Sequence, residues 1–270
     1  MENATPHRAW QPLTFSGVAA FAGETFTRLW MVQLIVSILV AGSMVWTLET
    51  GWFPVIEQAI DGLADNAEIR NRQLEWPNDR STPLAENSFL SIRVDPDGIV
   101  STDQGADIQL VFTKTGLKVR SLLGFVEASY PAGWAMSLRR ADVRAWWGAW
   151  RFFLPIGLGV MVVLCLFINW SALACLYCFP VRVIAFYLDR AVTWRSCWRL
   201  AAAALLPGAL VMSGGLVLYS LHRIELVGLL FAWLLHVIVA WVYVAYSPTR
   251  LPRLGNPPAS RKNPFGEDNS

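Results

Sequence analysis

Four long apolar runs constrain this chain more than any other feature of its sequence. They are "LWMVQLIVSILVAGSMVWTL" (29–48), "FFLPIGLGVMVVLCLFINWSALACLYCF" (152–179), "LAAAALLPGALVMSGGLVLYS" (200–220) and "LVGLLFAWLLHVIVAWVYVAY" (226–246). About 20 helical residues cross the roughly 30 Å of hydrocarbon in a bilayer. A helix also closes its backbone hydrogen bonds within the segment, as lipid requires. The spans are bounded at 27–48, 151–179, 200–220 and 226–246, and only "LHRIE" separates the last two, which therefore form an antiparallel hairpin. Charged residues make up 16% of the chain, against about a quarter in soluble domains. Tryptophans near the run ends (Trp30, Trp46, Trp146, Trp147, Trp150, Trp198) fit aromatic belts at the two interfaces. A net charge of +2 is too small to point to nucleic acid, so the expected partner is the lipid bilayer.

The first run reads as an uncleaved signal anchor rather than a cleaved leader. It exceeds the roughly 7–15 residues of a leader's apolar core. The 180–199 segment holds Arg182, Arg190, Arg195 and Arg199 against Asp189, and the tail adds Arg250, Arg253, Arg261 and Lys262. The opposite short loop has only Arg223 and Glu225. Positive charge marks the cytoplasmic side, which puts both termini inside the cell membrane. Arg139, Arg140 and Arg144 then lie outside, in a translocated section long enough to escape that rule. The expected order is a cytoplasmic segment (1–26), span one, an extracytoplasmic antiparallel β domain (49–136) and an interfacial helix (137–150). Span two, a cytoplasmic amphipathic linker (180–199), spans three and four, and a disordered cytoplasmic tail (247–270) follow. The fold class is α-helical membrane protein with an inserted extracytoplasmic α+β domain.

Within the exported section, Pro54 suits a first helical turn, and Ile56, Ala59, Ile60 and Leu63 recur at helical spacing. "EIRNRQLEW" (68–76) reads as a first strand, "PNDRSTP" (77–83) as a loop and "SFLSIRV" (88–94) as a second strand, closed by the turn "DPDG". "GIVST" (98–102) is a candidate third strand. In "ADIQLVFTKTGLKV" (106–119), Ile108, Leu110 and Phe112 alternate with polar residues, "KTG" turns, and Leu117 and Val119 alternate again, which is a β-hairpin. "SLLGFVEASYPAG" (121–133) leads back to the membrane, and "SLRRADVRAWWGAW" (137–150) is a basic, Trp-rich interfacial helix.

Chemistry is sparse. No Asp, Glu, Lys or Arg is central to a span, and Asn169 and His236 are the notable intramembrane polar residues, with Gln33, Ser37, Ser43 and Ser213 milder. His236 is open to two readings, a proton-linked group or a neutral imidazole that hydrogen-bonds another helix. "CLYC" (175–178) is formally C-x-x-C, but with no second pair it reads as small apolar residues. The acids of "DPDG" lack the further oxygen ligands of a calcium loop. No catalytic residue, cofactor site or metal site is expected, and the chain does not read as an enzyme. Val181, Ile184, Leu188 and Ala191 share a face, so 180–199 is either a helix on the inner leaflet or a plain connection.

The order of parts, with "EIRNRQLEW", "SIRVDPDG", "ADIQLVFTKTGLKV" and "TWRSCWRLAAAALLPGAL" (193–210), resembles a family of bacterial polytopic membrane proteins catalogued as domain of unknown function 1189. The resemblance implies the architecture but no activity. Some members are labelled as accessory to maltodextrin use. The expected function is a non-enzymatic envelope scaffold, sensor or binding protein that displays its β domain to another membrane or envelope protein. The alternative is a small transporter or an accessory subunit of a transport system, resting on His236 and Asn169.

Overall fold

The computed structural model describes residues 11–77, 80–98, 105–133 and 135–253. Among these, four helical stretches are long and apolar enough to cross a membrane: Phe26–Asp61, Phe153–Tyr187, Trp194–Ser220 and Leu226–Arg250. Contacts divide the chain into two units. One comprises residues 40–162 and 213–231, the other residues 1–39, 163–212 and 232–270.

In the first unit, the end of α2 (Phe26–Thr47) passes through a π turn (Leu48–Trp52) into α3 (Phe53–Asp61). Span one and the amphipathic helix are thus continuous. Pro54 sits in the first turn of α3, where a missing N–H costs nothing, and α3 buries Phe53, Val55, Ala59 and Ile60. The "EIRNRQLEW" segment is two strands, not one. β1 (Glu68–Arg70) and β2 (Gln73–Glu75) form a hairpin whose turn residues Asn71 and Arg72 have φ of 50° and 65°. Two left-handed residues in succession make the tight turn that matches strand twist, here without the usual glycine signal. A third strand, β8 (Ala135–Ser137), pairs with β1.

The larger sheet has the order β3-β4-β5-β6-β7. β3 (Thr82–Glu86) begins inside the stretch expected to be loop, and Pro83 is tolerated because β3 is an edge strand. β4 (Leu90–Val94), β5 (Ile108–Phe112) and β6 (Gly116–Ser121) agree with the sequence, whereas β7 (Gly124–Ser129) comes from the stretch read as a return to the membrane. The expectation of a purely antiparallel sheet is corrected at one pair: β4 and β5 are parallel, with Leu90 opposite Ile108 and Val94 opposite Phe112. The connection from 95 to 107 supplies the dozen or so residues that a parallel crossover needs. "GIVST" beyond Gly98 lies outside the described residues.

One sheet face packs on α3, with Leu90, Ile92, Ile108 and Leu110 against Val55, Ile56 and Ala59. Ile69, Leu74, Val94 and Tyr130 form a second cluster. The Tyr130 hydroxyl donates to the Thr113 carbonyl at 3.0 Å, and burial pushes its pKa up to about 12. Helix α4 (Arg140–Trp150) starts later than expected because residues up to Ser137 belong to β8. It docks on α3 through Trp147, packed with Phe53 and Ile60, and through the Arg144–Asp61 ion pair at 2.8 Å. Hydrogen bonds from Ser137 and Arg139 hold the Asp142 carboxyl below its usual range.

Helix α5 (Phe153–Tyr187) runs on through Pro180, so 180–199 is neither a helix of its own nor a plain loop. Its first part continues α5, and its last part opens α6 (Trp194–Ala204), which Thr193 and Ser196 cap reciprocally. A break at Leu205 separates α6 from α7 (Leu206–Ser220). Its cause is Pro207, which has no N–H to donate and crowds the Ala203 carbonyl. Helix α8 (Leu226–Tyr246) keeps its expected bounds. In the first unit, α2 and α7 are joined by Thr47–Ser220 at 2.6 Å and Ser43–Ser213 at 3.2 Å.

In the second unit, α1 (Phe15–Ala20) packs near α6. The Arg199 guanidinium donates to the Ala22 and Glu24 carbonyls and lies over the Phe26 ring. A Cβ at Gly208 would stand 2.5 Å from the His236 carbonyl oxygen, so only glycine permits this approach of α7 to α8. After α8 a 3₁₀ turn (Ser247–Arg250) leads to Leu251, whose carbonyl accepts from Arg190. Residues 254–270 of the tail expected to be disordered lie outside the described residues.

Candidate functional site

The first unit contains a cleft of about 860 Å³, built between the ends of β5, β6 and β7 and the α7–α8 turn. Its floor is set by Asn87, whose side-chain oxygen accepts from the Phe89 and Leu90 amides at 2.9 Å and whose amide donates to the Gly51 carbonyl at 2.6 Å. A Cβ at Gly51 would lie 2.9 Å from the Phe89 ring, so the glycine makes room for it. Phe89, 4% exposed, then carries the rings of Tyr219 and His222 with centroids 4.8 and 4.5 Å away.

The other wall comes from the end of α7. The His222 amide donates to the Tyr219 carbonyl and the Arg223 amide to the Leu218 carbonyl, both at 2.9 Å. His222 has φ of 55°, the left-handed position where a helix end normally takes glycine. Its imidazole Nε2 is hydrogen-bonded to Ser88 Oγ at 3.0 Å. Beside it the Tyr219 hydroxyl donates to Asp107 Oδ2 at 2.6 Å. Arg120, on β6 between Gln109 and Phe125 in the register, is half-buried in the cleft wall. Among the described residues its guanidinium has no hydrogen bond or ion pair. Leu122, Phe125, Leu226 and Val227 give the opening an apolar side. Around Arg120 the cleft thus gathers two tethered polar pairs, the Glu225 carboxylate and an apolar lip.

The residues singled out from the sequence lie elsewhere. The His236 imidazole is hydrogen-bonded through Nδ1 to the Trp233 carbonyl of its own helix, and among the described residues no hydrogen bond joins it to another helix. Asn169 is exposed on α5, and no hydrogen bond joins it to His236. Cys178 and Cys197 are buried while Cys165 and Cys175 are exposed, all four as free thiols, so only one half of "CLYC" packs as a small apolar residue. Among the described residues no three His, Cys, Asp or Glu gather where they could hold a metal ion. Sequence reasoning missed Ser88, Asp107, Arg120, Tyr219 and His222. Two signals for them were present: a histidine where a helix stop favours glycine, and the Leu-Leu pair of "SLLG". No family model matches the chain, and no curated protein or solved structure is significantly similar to it.

Proposed function

We propose that this chain is a non-enzymatic cell-membrane protein related to the domain of unknown function 1189 family. Its sheet faces out of the cytoplasm and its cleft binds a ligand or partner. The observation that carries the reading is the cleft itself. Asp107 and Ser88 are bonded through their side chains to Tyr219 and His222 of the helical hairpin, while the Arg120 guanidinium has no partner among the described residues and can meet a ligand. The topology follows from the arginine distribution, with both termini inside.

Two experiments test this. Reporter fusions after residues 100 and 255 are expected to read outside and inside respectively, and the opposite pattern would reverse the orientation. The full-length protein, extracted gently and analysed for co-purifying molecules, is expected to carry a discrete species. Ala106→Trp, which fills the cleft, should release it. An identical set of bound molecules in both proteins would overturn the binding reading.

A further inference from the structure

We propose that the cleft takes one anionic phospholipid from the bilayer, with Arg120 at its phosphate and the β6–β7 tip inserted among the neighbouring lipids. The proposal rests on the binding reading above and names the ligand class. β6 and β7 are joined by a two-residue turn, since Ser121 pairs with Gly124 and only Leu122 and Leu123 lie between. Two-residue hairpins favour Asn-Gly or Gly-X pairs, and here the left-handed work falls to Gly124 at φ 123°. Turn geometry therefore gives no reason for two leucines at the tip. They are 59% and 81% exposed, and Phe125 and Val126 follow at 69% and 70%. Four large apolar residues in a five-residue hairpin end, interrupted only by Gly124, form a patch that water does not favour.

The position of this tip identifies its occupant. Leu122 and Phe125 line the same cleft as Leu226 and Val227, the first residues of the apolar helix α8. A helix apolar from its first residue starts at the boundary of the hydrocarbon, so the tip and the cleft mouth lie at that boundary. The lining combines polar residues (Arg120, Glu225, Asp107 with Tyr219, His222 with Ser88) with apolar ones (Leu122, Phe125, Leu226, Val227). That combination suits a headgroup joined to acyl chains. Asp107 is occupied by Tyr219 and Arg120 has no ion pair among the described residues, so its guanidinium can take phosphate oxygens in its planar fork.

Native mass spectrometry of the full-length protein in detergent tests the assignment. Phosphatidylglycerol or phosphatidylcholine with the same acyl chains is titrated in. The first phosphatidylglycerol is expected to bind about tenfold more tightly than phosphatidylcholine, because both offer Arg120 a phosphate and only phosphatidylcholine brings a second cation against it. Arg120→Gln should bring the two within about twofold, and Leu123→Asp, at an exposed tip that cannot disturb the core, should weaken both. Arg72→Gln, in the exposed β1–β2 turn, should change neither. No preference in the wild type, or a preference that survives Arg120→Gln, would overturn the proposal. A co-purifying cleft species that proves to be a protein or peptide would overturn the lipid assignment alone and leave the binding reading standing. The absence of any cleft-dependent species would remove both.

Discussion

His222 and His236 are two histidines of one helical hairpin with opposite surroundings. His236 sits in the middle of an apolar span and spends its ring on a carbonyl of its own helix. His222 stands at the end of a helix in a left-handed conformation and spends its ring on Ser88, far away in sequence, beside the Tyr219–Asp107 pair. The difference teaches that an unusual residue in a span is not where this fold concentrates its polar chemistry. The sheet meets the helix ends there, and bonds between distant residues must be matched for the cleft to exist.

The contrast predicts an order of costs. Phe89→Ala removes the ring on which Tyr219 and His222 rest, and should cost about 3–5 kcal/mol, read as the largest fall in the melting temperature of the full-length protein in detergent. Tyr219→Phe leaves Asp107 without its donor and should cost about 1.5–3 kcal/mol, the range for hydrogen bonds to charged groups. A double-mutant cycle of His222→Ala and Ser88→Ala should return a coupling of about 1 kcal/mol, and His222→Gly should be more stable than His222→Ala because glycine accepts the left-handed backbone. His236→Leu should cost about 0.6 kcal/mol or less, with normal accumulation, since no bond to another helix is lost. A melting temperature that falls further for His236→Leu than for Phe89→Ala would break the comparison.

Hydropathy alone located the spans, because twenty apolar residues leave the backbone no alternative to a helix. The α8 bounds, the Pro54 start of α3 and the β5–β6 hairpin were equally legible, each resting on local pattern. What stayed hidden depended on partners remote in the chain. Pro83 argues against a strand until the strand is known to be at an edge, and β4 cannot announce that it pairs in parallel with β5. Pro180 looks like a stop, yet α5 continues through it. The cleft is less legible still, since Ser88, Asp107, Arg120 and Tyr219 are ordinary residues in their own segments. Among the cleft residues, only the "SLLG" tip and His222 depart from local rules.

The central claim is that ligand chemistry gathers at the cleft and not at mid-span. Photocrosslinking from p-benzoylphenylalanine placed at Phe125 or at Asn169, in the same membrane preparation of the full-length protein, tests it most directly. The account predicts a discrete adduct from position 125, sharply reduced by Arg120→Gln, and only a diffuse lipid background from position 169. A discrete adduct from 169 with none from 125 would contradict it.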